Sequence, residues 1–182
     1  NRVVCMTDPI GGKTYYTYDT MSGKISSITD AAGNKSVYRY NDAGELIEKT
    51  DVKGNVTKYE YSELGKILSV TDAAGRTVRY HYLSGGKLEQ ISYPDGNLLS
   101  YTYDSLGRVQ RKTDVQGYSI AYSYDSMGRV QKIMGKEGQM KSYSYDVMGN
   151  VTSVIDALGS RTEYNYTLSG KLREVKDALG NK

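Results

Sequence analysis

The stretch Tyr101-Thr-Tyr-Asp-Ser-Leu-Gly-Arg-Val-Gln-Arg-Lys-Thr-Asp-Val-Gln-Gly117 decides the fold. Its opening alternates aromatic, polar, aromatic, the pattern of a β-strand with one buried face. Asp104 and Gly107 then read as a tight turn. An Asp at the first turn position hydrogen-bonds the backbone ahead of it, and a Gly three residues on accepts the positive φ of a type I turn with a G1 bulge. Val109 to Thr113 reads as a second short strand, and Asp114 to Gly117 as a second turn of the same kind.

Working outward, the same stretch recurs along the whole chain. Tyr-x-Tyr occurs at Tyr16/Tyr18, Tyr38/Tyr40, Tyr59/Tyr61, Tyr80/Tyr82, Tyr101/Tyr103, Tyr122/Tyr124, Tyr143/Tyr145 and Tyr164/Tyr166, stepping by 22 once and by 21 six times. Gly23, Gly44, Gly65, Gly86, Gly107, Gly128, Gly149 and Gly170 share the period, and Asn1 stands one period before Gly23. A second series runs from Gly11 through Gly33, Gly54, Gly75, Gly96, Gly117, Gly138 and Gly159 to Gly180. The single extra residue falls between Tyr18 and Gly23. Two short strands and two tight turns fill 21 residues and leave no room for a helix or a crossover. Neighbouring strands are therefore antiparallel. The expected fold is all-β: a curled or spiralling antiparallel meander of about 17 short strands built from 21-residue hairpins. Residues 1–182 read as one continuous array of about 8.5 repeats, a segment of something longer, without a linker or domain boundary.

One detail resists a plain strand. After each first glycine the second position is a branched aliphatic (Ile25, Leu46, Ile67, Leu88, Val109, Val130, Val151, Leu172), and the fifth is aliphatic in all but Lys49 and Lys112. Positions two and five have opposite parity, so a straight strand would send them to opposite faces. Either a β-bulge resets the parity or both faces are partly covered, and the bulge is the favoured expectation.

Composition narrows the chemistry. The 182 residues include 19 Tyr, 20 Gly, 2 Pro and 1 Cys but no Phe or Trp, and a quarter are charged, so a thick apolar core is not expected. Tyrosine suits a thin sheet because its ring packs while its hydroxyl finds a partner or stays wet. The formal charge is +3 with signs interspersed, which gives no field for nucleic acid. Apolar runs are too short for a membrane span. Both prolines, Pro9 and Pro94, occupy the second position of the second turn, where their fixed φ is pre-set.

In fixed register, Tyr103-Asp-Ser-Leu-Gly-Arg-Val109, followed by Thr113-Asp-Val-Gln-Gly117, and Tyr124-Asp-Ser-Met-Gly-Arg-Val130 resemble the YD repeat of Rhs proteins. The resemblance covers the whole chain. It implies a stretch of the spiralling β-sheet shell that such arrays form in Rhs and Tc toxins and in teneurins, and in the toxins an enclosed toxic polypeptide. It also implies a secreted or cell-surface protein. Ser62, Leu83 and Thr167 depart from the first-turn Asp, and Tyr93 and Gly135 from the second, without disturbing the period. Asp8-Pro-Ile-Gly11 superficially resembles the family's self-cleaving aspartate motif, but it lies in register with every other second turn and lacks the following Leu. No catalytic role is carried over to it.

The remaining chemistry-bearing residues read as ordinary surface. His81 takes the outward position filled elsewhere by Thr17, Arg39, Glu60, Thr102, Ser123, Ser144 and Asn165. Cys5 takes the place of Ser27 or Glu48, with no internal disulfide partner. One carboxylate per turn is a poor calcium site, and no metal or cofactor is expected. Lys24, Lys66, Lys87, Arg108, Arg129 and Lys171 form a stripe that the turn aspartates are placed to neutralise. Asn34, Asn55, Asn150 and Asn165 head glycosylation sequons that the repeat itself generates. Three function classes follow: a non-catalytic shell or scaffold segment, a surface fibre continued through edge strands to neighbouring copies, and a carbohydrate-binding tyrosine surface. An enzyme is not expected. In the shell reading the sixteen paired tyrosines and the eight glycines of the first series are structural, with the tyrosines on one face and stacked on their counterparts in adjacent repeats.

Overall fold

A computed structural model describes residues 2–182; Asn1, and with it the position one period before Gly23, lies outside the described residues. Seventeen strands and no helix are present among them. The chain forms two compact units, Asn1–Asn97 and Leu98–Lys182. The first holds β1 (Cys5–Thr7), β2 (Lys13–Tyr18), β3 (Ile25–Thr29), β4 (Lys35–Tyr40), β5 (Leu46–Thr50), β6 (Val56–Tyr61), β7 (Ile67–Thr71), β8 (Thr77–Tyr82) and β9 (Leu88–Ser92). The second holds β10 (Leu98–Tyr103), β11 (Val109–Thr113), β12 (Ser119–Tyr124), β13 (Val130–Gly135), β14 (Gly138–Tyr145), β15 (Val151–Asp156), β16 (Arg161–Tyr166) and β17 (Leu172–Lys176). Within each unit every strand pairs antiparallel with the next, as the alternation predicts.

The turns have the expected chemistry. In the first turn of most repeats the glycine N–H donates to the carbonyl three residues earlier, as Gly107 does to Asp104 at 2.8 Å, while Asp104 Oδ1 accepts from the N–H groups of Leu106 and Arg108. In the first repeat Gly23 reaches back four residues to Asp19, so the extra residue is absorbed in that loop. Leu83 and Thr167 keep the backbone turn without a carboxylate. Glycine, not aspartate, is what the turn cannot do without: all seventeen glycines of the two series have positive φ, and no other described residue does. The Gly135 site is the one that changes shape. Gly135 pairs directly with Gly138 across a two-residue turn, and a shift of register between Ile133 and Met134 leaves Met140 as the extra residue.

The parity conflict resolves by bulges. In all eight tyrosine hairpins the register shifts just before the second tyrosine, so Tyr16 faces Ile28, Thr17 faces Ser27, and Tyr18 faces Ile25 with Ser26 left over. Opposed residues share a face. Positions two and five therefore join the two tyrosines on one side of the sheet. The ladder tyrosines are half-buried, the residue between each pair is exposed, and no hydrophobic residue among those described is fully buried. The buried face read from the alternation is thus a half-covered one, because a single layer of strands has nothing opposite it to exclude water. The buried polar residues among those described are Ser27, Ser69 and Ser153, on the other face. There cross-strand polar pairs cover two of them: Thr17 Oγ1 lies 2.7 Å from Ser27 Oγ, and Ser69 Oγ donates to Glu60 at 2.6 Å.

Candidate functional site

The feature that repeats most faithfully is a seam between successive repeats. The bulge has a cost: the β3–β4 ladder begins only at Ser27 opposite Val37, so the carbonyl of Ile25 lies beyond it. The hydroxyl of Tyr40 donates to that carbonyl at 2.8 Å. The same bond, always fifteen residues long, joins Tyr18 to Val3, Tyr61 to Leu46, Tyr82 to Ile67, Tyr124 to Val109, Tyr145 to Val130 and Tyr166 to Val151, at 2.6–3.0 Å. Phenylalanine would leave the carbonyl unmet, which gives a physical reason for tyrosine as the chain's sole aromatic.

A cation covers the same ring from sixteen residues earlier. The guanidinium groups of Arg108 and Arg129 sit 4.4 Å from the ring centroids of Tyr124 and Tyr145, and the Arg2 guanidinium and the Lys24 and Lys66 ammonium groups lie 5.3–5.7 Å from those of Tyr18, Tyr40 and Tyr82. Arg108 and Arg129 also bind Asp104 and Asp125 through Nε at 2.7 Å, so part of the basic stripe is neutralised as expected. Lys24 instead donates to the Gly44 carbonyl at 2.7 Å. Glu45 and Asn150 stand where the cation would be for Tyr61 and Tyr166, and there the hydroxyl bond acts alone. Ring stacking between repeats is the sequence expectation; the described stacked pair, Tyr143 and Tyr145 with centroids 6.5 Å apart, lies within one strand.

Electrostatics follow the same parts. Burial pushes the hydroxyls of Tyr40, Tyr61, Tyr82, Tyr124 and Tyr145 up. Hydrogen bonds hold turn carboxyls down: the Asn34 side chain for Asp30, and the Arg108 backbone N–H for Asp104.

The residues that could carry catalysis do not converge. His81 is exposed opposite Gln90, and Cys5 is exposed on β1. No group of three or more metal-ligating side chains gathers among the described residues. A hollow of about 460 Å³ lies beside the irregular β13–β14 hairpin, lined in part by Tyr118, Ile120, Met140 and Ala157. Sequence reasoning found the tyrosines but missed both halves of the seam. The signal was present in the constant offset between each basic residue and the tyrosine sixteen positions later.

Comparison with known proteins fits this seam-built array. The chain superposes on part of the Photorhabdus luminescens Tc holotoxin pore with a TM-score of 0.70, at 14% identity over 91% of this chain and 11% of that one. It superposes on TcdB2-TccC3 without its hypervariable C-terminal region with a TM-score of 0.71, at 15% identity over 94% of this chain and 12% of that one. These likenesses show the fold, and the chain spans about a tenth of the length of either structure. No curated protein matches the sequence. The RHS Repeat family model matches residues 21–56, 40–77, 61–98, 82–117, 103–134 and 145–182, leaving out the irregular turn at Gly135. With most of its length matched and its period written in the same tyrosines and glycines, the chain belongs to the RHS repeat family.

Proposed function

We propose that residues 1–182 are one continuous, non-catalytic wall segment of an RHS-repeat shell, in a secreted or cell-surface protein that encloses a polypeptide. The observation that carries this reading is the seam. Within each unit tyrosine hydroxyls and, at most of them, a cation fasten successive repeats, so the conspicuous side chains serve propagation of the sheet. The paired tyrosines and series glycines are structural in this reading. Likeness of fold to the Tc toxin structures supports it further. A wall also accounts for a polar, cross-paired second face and a half-covered tyrosine face, since neither needs to be a solid core.

Electron microscopy of the full protein that carries this array tests the proposal. Closed, hollow particles with an internal polypeptide protected from added protease are expected. Continuous filaments of constant axial rise, or a protease-accessible interior, would overturn it.

A further inference from the structure

Asn150 interrupts the row of cations, and the space it leaves is a hollow whose walls are already arranged. One period earlier Arg129 fills the corresponding space. Its Nε binds Asp125 Oδ2 at 2.7 Å, its Nη1 donates to the Asp146 carbonyl of the next first turn at 3.0 Å, and its guanidinium lies 4.4 Å from the Tyr145 ring. The counterparts of these partners, 21 residues on, are Asp146, Thr167 and Tyr166. All three line a hollow of about 360 Å³ within the second unit. Asn150 is too short to span it and stops at Asp146 Oδ2, to which its Nδ2 donates at 2.9 Å. No basic side chain among the described residues forms an ion pair with Asp146. The Thr167 carbonyl accepts from the Gly170 N–H at 2.9 Å and keeps a second lone pair, the one that Asp146 offers to Arg129. The Tyr166 ring is held in place by its hydroxyl bond to Val151 at 3.0 Å. The break at Tyr61 is of another kind, because the Glu45 side chain itself reaches the next turn, with Oε1 2.9 Å from where a Gly65 Cβ would stand.

We propose that this hollow binds the guanidinium group of an arginine side chain from another polypeptide segment. The group meets the walls as Arg129 meets its own: N–H groups donate to the Asp146 carboxylate and the Thr167 carbonyl, and the planar face lies on the Tyr166 ring. A polypeptide, not a free guanidinium compound, is the occupant. Val147 and Leu168 at the mouth are 94% and 97% exposed, and with Met148 they offer apolar surface that residues flanking the arginine would cover. The site rests on the break in the cation row and is independent of the wall function, so either proposal can fail without the other.

The test uses the 182-residue chain and an end-blocked Leu-Arg-Leu tripeptide, with the isosteric but uncharged Leu-citrulline-Leu as control. Methyl NMR of Met148 and Leu168 locates binding and gives the affinity. Saturable binding at these methyls is expected, weakened about tenfold for the citrulline peptide, the effect of losing a charge-assisted hydrogen bond. Asn150→Arg refills the hollow from within, and is expected to lower the affinity for Leu-Arg-Leu by at least about tenfold while raising the midpoint of urea denaturation. The citrulline control leaves the protein intact, so the result does not depend on the variant folding. Equal binding of the citrulline peptide, equal affinity for the free guanidinium ion, undiminished binding to Asn150→Arg, perturbation away from the hollow, or no binding at millimolar peptide would each overturn the proposal.

Discussion

The Tyr145 hydroxyl donates to the Val130 carbonyl at 2.7 Å, joining residues fifteen apart in sequence and in successive repeats. Val130 sits immediately before the bulge that turns it to the tyrosine face, opposite Tyr124. The displacement that lets an aliphatic side chain join the tyrosines also takes its carbonyl off the regular ladder. The next repeat answers with a side chain. Local strand geometry and contact between repeats are thereby tied to one residue type.

Tyr145→Phe keeps the ring and removes that bond. It is expected to lower the free energy of unfolding by about 1 kcal/mol, the usual net worth of one hydrogen bond. Tyr143→Phe, in the same strand, is expected to cost less. Urea denaturation of the two variants checks this, and equal losses would count against the seam.

Much of this fold was legible in the sequence because the repeat supplies its own redundancy. One Tyr-x-Tyr or one Asp-x-x-Gly says little, but eight in register fix strands, turns and direction of pairing. The bulge was legible as well, from the parity conflict between Ile25 and Ile28. The seam was not, because it depends on where carbonyls point once the bulge has formed, and no pattern of side chains displays that. The reshaped hairpin at Gly135 was missed for a similar reason. The period survives there because the bulge at Met140 restores the residue count that the shorter turn removes.

Gly54 has φ +84° with nothing within 4 Å of where a Cβ would be, while Gly85 is equally open but lacks positive φ. Space is thus the same at both, and only backbone strain differs. Gly54→Ala is expected to destabilise by roughly 1–2 kcal/mol, the cost of an L-residue held left-handed, and Gly85→Ala to be near neutral. Thermal melts of the pair separate strain from crowding.

Acid should loosen the turns. Hydrogen bonds from Asn34, Asn55, Asn150 and Asn181 side chains hold Asp30, Asp51, Asp146 and Asp177 below the ordinary carboxylate range. A lowered folded value means that the contribution is present above the unfolded value of about 3.9 and is lost as pH falls through the lowered folded values. Stability is therefore expected to decline below about pH 4, and Asp146→Asn to flatten part of that slope. At the other extreme, burial raises Tyr61 and Tyr82. Their contribution is present below about pH 10 and is lost as pH rises through the raised folded values. Denaturation midpoints across pH check both arms.

Arg129 tests the cation half of the seam. Its guanidinium lies 4.4 Å from the Tyr145 ring, binds Asp125 through Nε at 2.7 Å and donates to the Asp146 carbonyl from Nη1 at 3.0 Å. Lys66, by contrast, meets the Tyr82 ring at 5.3 Å as a point charge. A planar fork satisfies carboxylate, carbonyl and ring together, which an ammonium cannot do. Arg129→Ala is expected to cost about 1–2 kcal/mol, with Arg129→Lys falling between it and the native protein. Lys66→Ala should cost about 0.5–1 kcal/mol, as for a partly solvated cation over a ring. A double-mutant cycle of Arg129→Ala with Tyr145→Leu isolates the ring contact from the ion pair. Coupling near zero would mean that Arg129 acts through Asp125 alone, while a clear favourable coupling that survives added salt places the ring at the centre of the contact.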